Sequence, residues 1–294
     1  MRHISDVTDL AIIHIYDSDE YKEGSIMNVN AAAKRISDFL DLKLNIQAVK
    51  LIEDPAQVPE NALNAHKEYG HLSLCQAFAL TKRNGKTLYT DKSSEWCWAP
   101  VVGLGYAPTG PDTECFQEIS RLLGIQDQEQ ADRFFEAFPR LPVGKYQGVL
   151  LAPAQSAEFE PDVLLVNCDN NFQLRTLLGA IKFKTGKLLD VHLDPVDSCV
   201  HTLVAAMISK DYTVAFPDPG DQERALSDSN EVIMAIPVEE LPDLLEGMDF
   251  LETWHMAYKD FRKEMMFDFT RPPFYNTVFK SWGMDQGEDW DGHK

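Results

Sequence analysis

Cys75, Cys97, Cys115 and Cys199 each follow residues able to start a helix, and Cys168 closes an apolar run. A thiol in the first turn of a helix faces the positive end of its dipole, which favours the thiolate, the form that ligates metals and attacks electrophiles. Cys75 and Cys97 share one stretch, residues 70–106 (GHLSLCQAFALTKRNGKTLYTDKSSEWCWAPVVGLGY), while Cys199 lies far along the chain. Brought together, Cys75, Cys97 and Cys199 supply three donors for a metal ion or an iron–sulfur cluster, with one coordination position left for a non-cysteine ligand or a substrate. Read blandly, they are small buried hydrophobes, a frequent fate of free cysteine. Their spacing is unlike that of compact motifs such as CxxC and does not choose between the two. His71, four residues before Cys75, has helical spacing for a shared metal, but an ordinary histidine at a helix start explains it with less.

The polar candidates lie elsewhere. Asn170 follows the apolar run 163–166 and precedes a helix; the carboxyl end of a buried strand is a common ligand position, although capping alone accounts for an asparagine there. Residues 216–231 read as a long polar loop with Asp218, Asp221, Glu223, Arg224 and Ser227, suited to closing over a small polar or anionic metabolite. The Arg224 guanidinium can fork onto a carboxylate or phosphate, or simply pair with Glu223 or Asp228.

The elements that must position these groups follow from periodicity. Helical stripes run through 29–40 and 75–84, the second stopped by Asn84-Gly85. Residues 10–16, 46–52, 86–90, 144–152, 163–166 and 232–236 read as strands, with 163–166 as the mate of 144–152. Residues 55–69 read as a surface loop broken by Pro55 and Pro59, and Ser93 or Ser94 as the cap of a helix containing Cys97. Helices follow from Asp112 or Thr113 to Gly124, over 127–138, from Asn170, over 196–209 and through most of 237–269. The runs 46–53 and 163–169 are both apolar, end acidic and lead to a helix. The fold expected is α/β or α+β, with two packed halves of possible duplicate origin, each a small sheet covered by helices. The boundaries are 1–142, 143–270 and an extension, 271–294, with an acidic tail.

With 44% hydrophobic residues among 294, the chain has ample material for a large core. The 27 basic and 47 acidic residues leave a formal charge of −20, a surface that repels phosphate backbones, so nucleic acid is excluded as a partner. No apolar run reaches the roughly 18 residues of a membrane span, and the N-terminus lacks the pattern of a secretory signal. An odd cysteine count in that setting points to reduced thiols in the cytoplasm. A homo-oligomer is compatible with all of this.

Several segments together resemble the domain of unknown function 169 family, also called ArCR. They are LCQAFALTKRNGKTLYT (74–90), the second cysteine after a short polar gap, GLGY (103–106), AVKLIED (48–54), EPDVLLVNCDNNFQLRTLLGAIKFKTGK (160–187), DSCVHTLVAAM (197–207) and FPDPGDQERALSDSNEVIMAIPVEELPDLLEGM (216–248). The resemblance implies a third family cysteine at Cys199. After the second cysteine the family usually has small residues, where this chain has Trp98, Ala99 and Pro100. GxGxxG, Walker, HExxH and GxSxG motifs are absent, which lowers the weight of dinucleotide, nucleotide, zinc-peptidase and α/β-hydrolase chemistry. The leading expectation is a small-molecule enzyme, of hydratase or lyase type, with a metal or iron–sulfur centre on Cys75, Cys97 and Cys199 and with Arg224, Asn170 and Asp221 binding substrate. A metal-free binding or regulatory protein and a thiol redox sensor are the alternatives.

Overall fold

The computed structural model of the protein describes residues 28–253 and 274–283. The expected strand at 10–16, the helical stripe of Trp254, Tyr258 and Phe261 and the acidic tail lie outside them. Contacts divide the chain into Met1–Ala257 and Tyr258–Lys294. From the second unit comes one helix, Phe274–Ser281, on which Tyr275 stacks against Phe279.

In the first unit all described strands join one sheet. They are β1 (Gln47–Ile52), β2 (Leu63–Asn64), β3 (Leu88–Asp91), β4 (Gly148–Pro153), β5 (Val163–Cys168), β6 (Thr213–Ala215) and β7 (Val232–Pro237), in the spatial order β2-β3-β4-β1-β5-β7-β6. Only β2 and β3 run parallel; the other neighbours are antiparallel. The expectation of two small sheets is therefore corrected to one mixed sheet, and the described residues show no clear duplication. β4 and β5 are not mates. β1 lies between them, pairing Val49 with Leu151 on one side and with Val163 on the other.

Strand alternation sends successive side chains to opposite faces. On one face Leu164, Val166 and Cys168 of β5 and Met234 and Ile236 of β7 pack with helices α1 (Val29–Leu40), α7 (Asn171–Thr185) and α10 (Leu241–Thr253). On the other, Val49, Leu51, Leu151, Leu165 and Ala235 pack against α3 (Leu74–Asn84), α4 (Trp98–Gly103) and a helical segment that is π-helical over Val200–Val204 and continues as α8 (Ala205–Ser209). Covering both faces with helices is what makes β4, β5 and β7 apolar throughout although they pair antiparallel. α7 and α10 approach so closely that a methyl group on Gly247 would run into the Ala180 carbonyl.

Most helices start and stop on local signals. Asn28, Thr113, Asp127 and Asn170 cap α1, α5 (Glu114–Leu122), α6 (Gln128–Ala137) and α7 with their side chains. Gly85, at φ 66°, ends α3 in the left-handed conformation that glycine adopts without penalty. Two expected loops are structured. Residues 55–69 hold a 3₁₀ turn, β2 and α2 (Ala65–Tyr69), and 216–231 hold α9 (Pro219–Arg224), with Asp218 as cap and Pro219 at the first helical position.

The C-terminal turn of α3 is fastened to the start of β7 by a buried ion pair. Lys82 Nζ lies 2.9 Å from Glu231 Oε2, and both side chains are only 2% exposed. Lys82 also donates to Ser227 Oγ at 2.9 Å, Arg83 reaches Glu231 Oε1 at 2.5 Å, and the Asp228 N–H donates to the same oxygen at 3.0 Å. Asn167 and Gln47 extend the network into β5 and β1. Burial alone would raise the Glu231 carboxyl, but Lys82, the Asp228 N–H and Arg83 outweigh it and hold it below the usual range. A carboxyl depressed on folding contributes stability that is complete at neutral pH and lost as pH falls through its folded value.

Glu231→Gln, which leaves the Lys82 ammonium buried without its counter-ion, is expected to destabilise the protein by about 3–5 kcal/mol. Pairing Lys82→Met with Glu231→Leu should recover much of that loss. Urea unfolding of the three proteins tests this, and an unchanged midpoint in Glu231→Gln would refute it.

Candidate functional site

Four chain segments meet on the α3 side of the sheet around a cleft of about 160 Å³. Cys75, Cys97, Cys199 and Arg224 line it, together with Ser73, Asp197 and Asp218. α3 brings Cys75 in its first turn, with Ser73 Oγ 2.8 Å from the thiol sulfur. Ser94 belongs to the turn after β3 rather than capping a helix, and Cys97 itself occupies the cap position of α4.

Glu95 ties these two cysteine segments together. Its carboxylate accepts the N–H groups of Trp96 at 3.0 Å, Cys97 at 2.9 Å and Leu74, while the Leu72 N–H donates to Ser94 O at 2.9 Å. Burial pushes Glu95 up to about 7, partly offset by those three N–H donors.

The third segment is the turn before the π-helical stretch. Asp197 adopts φ 61°, a left-handed conformation that few residues other than glycine tolerate. Its carbonyl accepts from Val200 and His201, starting the helix that carries Cys199. The cap of α9 holds this turn. Asp218 Oδ2 accepts the Ser198 N–H at 3.1 Å, and Asp221 accepts the Ser198 hydroxyl and the Asp218 N–H. Asp221 is buried in this role and lies outside the cleft lining, so it positions Cys199 rather than facing a ligand. Burial also raises Asp197, to about 7, with Asp194 and Asp218 adding repulsion, and its Oδ2 is buried without a hydrogen-bond partner.

The thiols do not behave as helix-start thiolates. Desolvation, reinforced by Asp221, raises Cys75 to about 12 despite the Ser73 hydrogen bond, and desolvation raises Cys97 to about 11. Cys199 is also raised, first by burial and then by Cys75 and Asp221. The dipoles of short helices are outweighed by burial and by surrounding acids. Among the described residues no three His, Cys, Asp or Glu side chains are arranged to hold a metal ion.

Arg224 stands exposed at the cleft and has no ion-pair partner among the described residues. Asn170 is elsewhere: it caps α7, accepting from Phe172 at 3.0 Å and Gln173 at 3.2 Å. Cys168 packs on the opposite face of the sheet, and Cys115 is exposed. His71 is turned to Trp96 and His66, with ring centroids 5.0 and 5.4 Å away, and does not line the cleft. The sequence reading missed the roles of Glu95 and of the left-handed Asp197. A half-buried glutamate close to a cysteine carries no periodic signal, and Asp-Ser before Cys199 reads as an ordinary cap.

The family model for DUF169, Uncharacterised ArCR, matches residues 35–247, which include every cleft residue named above. The chain belongs to this family. It is also similar to an uncharacterized protein of Methanocaldococcus jannaschii, with 23% identity over 232 residues, covering 78% of this chain and 97% of that protein. No solved structure matches. No helix among the described residues is long and apolar enough to cross a membrane.

Elevated thiol pKa values leave little thiolate at neutral pH, so iodoacetamide should label the exposed Cys115 first and Cys75, Cys97 and Cys199 slowly, with the contrast vanishing in denaturant. Peptide mass spectrometry reads the order. Labelling of Cys75 or Cys97 as fast as Cys115 under native conditions would overturn this account.

Proposed function

We propose that this member of the DUF169 family is a small-molecule enzyme whose chemistry centres on the thiol cleft, with Cys75, Cys97 and Cys199 as ligands of a metal ion or iron–sulfur centre. The supporting observation is convergence: three cysteines from separate segments line one cleft with an arginine that lacks an ion-pair partner among the described residues. The donor types fit a soft cation, since three thiols line the cleft together with Asp197, one of whose carboxylate oxygens is buried without a hydrogen-bond partner. The thiols must turn inward to close on one point, because the present side-chain arrangement does not form a ligand set.

When bound, such a centre supplies a Lewis acid able to polarise a substrate oxygen for hydration or dehydration. Arg224 would orient the anionic group of the substrate through paired N–H donors. Glu95 would keep the Cys75 and Cys97 segments in register, and Asp218 and Asp221 would hold the Cys199 turn. A metal-free protein that binds a small anionic metabolite is the second reading, favoured by the exposed Arg224 guanidinium and by the lack of a formed ligand set.

Metal, iron and acid-labile sulfide analysis on protein purified without oxygen decides between them. Stoichiometric metal in the wild type, lost in folded Cys75→Ala, Cys97→Ala and Cys199→Ala variants, is the expected result. A colourless, metal-free wild type would sink the first reading. The second would then predict citrate binding that Arg224→Gln weakens at least about tenfold by calorimetry.

A further inference from the structure

The helix carrying Cys199 has a second cavity on its other flank, of about 450 Å³, a size typical of small-molecule sites. Its walls come from the end of α6 and the residues after it (136–140), the segment 190–192, one face of the π-helical stretch and α8, and β6 with the residues before it. None of the cysteines lines it. Phe138, Val191, Ile208 and Val214 give it an apolar interior.

Two basic groups flank Phe138 within this wall. His201 is 7% exposed, its ring stands edge-on to Phe138 at 6.1 Å, and its Nε2 is buried without a hydrogen-bond partner. The nearest carboxylate oxygen, on Asp194, is 3.6 Å from that nitrogen, beyond hydrogen-bond reach. Arg140 uses Nη1 on the carbonyls of Phe135 and Phe138, closing the end of α6. Its guanidinium lies 3.7 Å from the centre of the Phe135 ring and has no carboxylate partner among the described residues. His192, exposed, adds a third basic side chain.

The acids of this wall are otherwise engaged or outward. Asp211 pairs with Lys187 at 2.8 Å, and Glu136 and Asp190 are exposed. A half-buried guanidinium without a carboxylate partner, beside an apolar chamber, calls for an anion with an apolar body, and the buried imidazole Nε2 can add one hydrogen bond to it. The imidazole is placed there by the π-helical stretch, a distortion frequent at functional sites, whose Thr202 carbonyl is satisfied by the Thr213 hydroxyl at 2.9 Å.

We propose that this cavity is a second small-molecule site, separate from the thiol cleft, that takes an aryl carboxylate with its carboxylate at Arg140 and His201 and its ring against Phe138 and Ile208. Calorimetric titration of the full chain with benzoate, and with benzamide as the uncharged isostere, tests it. Saturable benzoate binding is expected, with benzamide at least about tenfold weaker and Arg140→Gln reducing benzoate affinity by a similar factor. Because Arg140 also closes α6, the half-exposed Ile208→Trp provides a second variant: it adds bulk to the apolar wall while both basic side chains remain, and should weaken benzoate binding at least about tenfold. The surface variant Arg121→Gln should bind benzoate as the wild type does. Absence of saturable binding, equal affinity for benzamide, or binding unchanged in Ile208→Trp would each overturn the proposal.

Discussion

A lysine and a glutamate, each as buried as a core leucine, meet between the end of α3 and the start of β7. An ammonium and a carboxylate taken out of water tolerate no slack, because losing either partner leaves a bare charge in the interior. The pair therefore fixes where α3 ends relative to the sheet. α3 is eleven residues long, so fixing its end also sets its first turn, where Cys75 meets the segments of Cys97 and Cys199. Around Glu231 the oxygens are filled by Lys82, Arg83 and the Asp228 N–H, and that saturation is what keeps it ionised.

The cleft reuses the same means with the opposite outcome. The half-buried Glu95 and the buried Asp221 are also carboxylates that hold backbone in place, but they bind N–H groups and a hydroxyl rather than full cations. Their neighbours are thiols and further acids, so every ionisable group for which a shift is resolved there is pushed toward its neutral form, mainly by burial. Under the metal-centre reading proposed above, a bound cation would reverse the cost of ionising each of these groups. Asp197, in a strained backbone conformation with one oxygen lacking a partner, is the group for which that reversal would matter most.

Elements with complete local signals were legible in the sequence. α1, α3, α5, α6 and α7 carry both a cap and a periodic stripe, and β1, β4, β5 and β7 are apolar runs bounded by turn residues. Strand order was not legible, since inserting β1 between β4 and β5 joins strands far apart in the chain and leaves no trace in their composition. β2 and β6, two and three residues long, are too short to show a period. At the site, Cys75, Cys97, Cys199 and Arg224 line one cleft, a proximity that their spacing in the chain does not encode, while Asn170 caps α7, as its place before a helix already suggested. The thiolate character expected from helix dipoles failed because desolvation depends on packing from distant segments, which spacing does not encode.

The charge balance bears on how such sites could capture an anion. A protein with a formal charge of −20 repels small anions at long range, yet that field decays over roughly 8–10 Å at physiological salt. Inside that distance the local groups decide, and Arg224 at the cleft and Arg140 in the second cavity are cations without carboxylate partners among the described residues. Elsewhere several basic side chains are spent on acids, as in the pairs Lys34–Asp38, Arg133–Glu129 and Lys187–Asp211. In a chain with 27 basic against 47 acidic residues, short-range charge-assisted hydrogen bonds and apolar contact, rather than long-range attraction, must supply the affinity of each arginine for an anion. Selectivity would then rest on the shape of the apolar wall that accompanies each arginine: a narrow, thiol-lined one for Arg224 and a wider, aromatic one for Arg140.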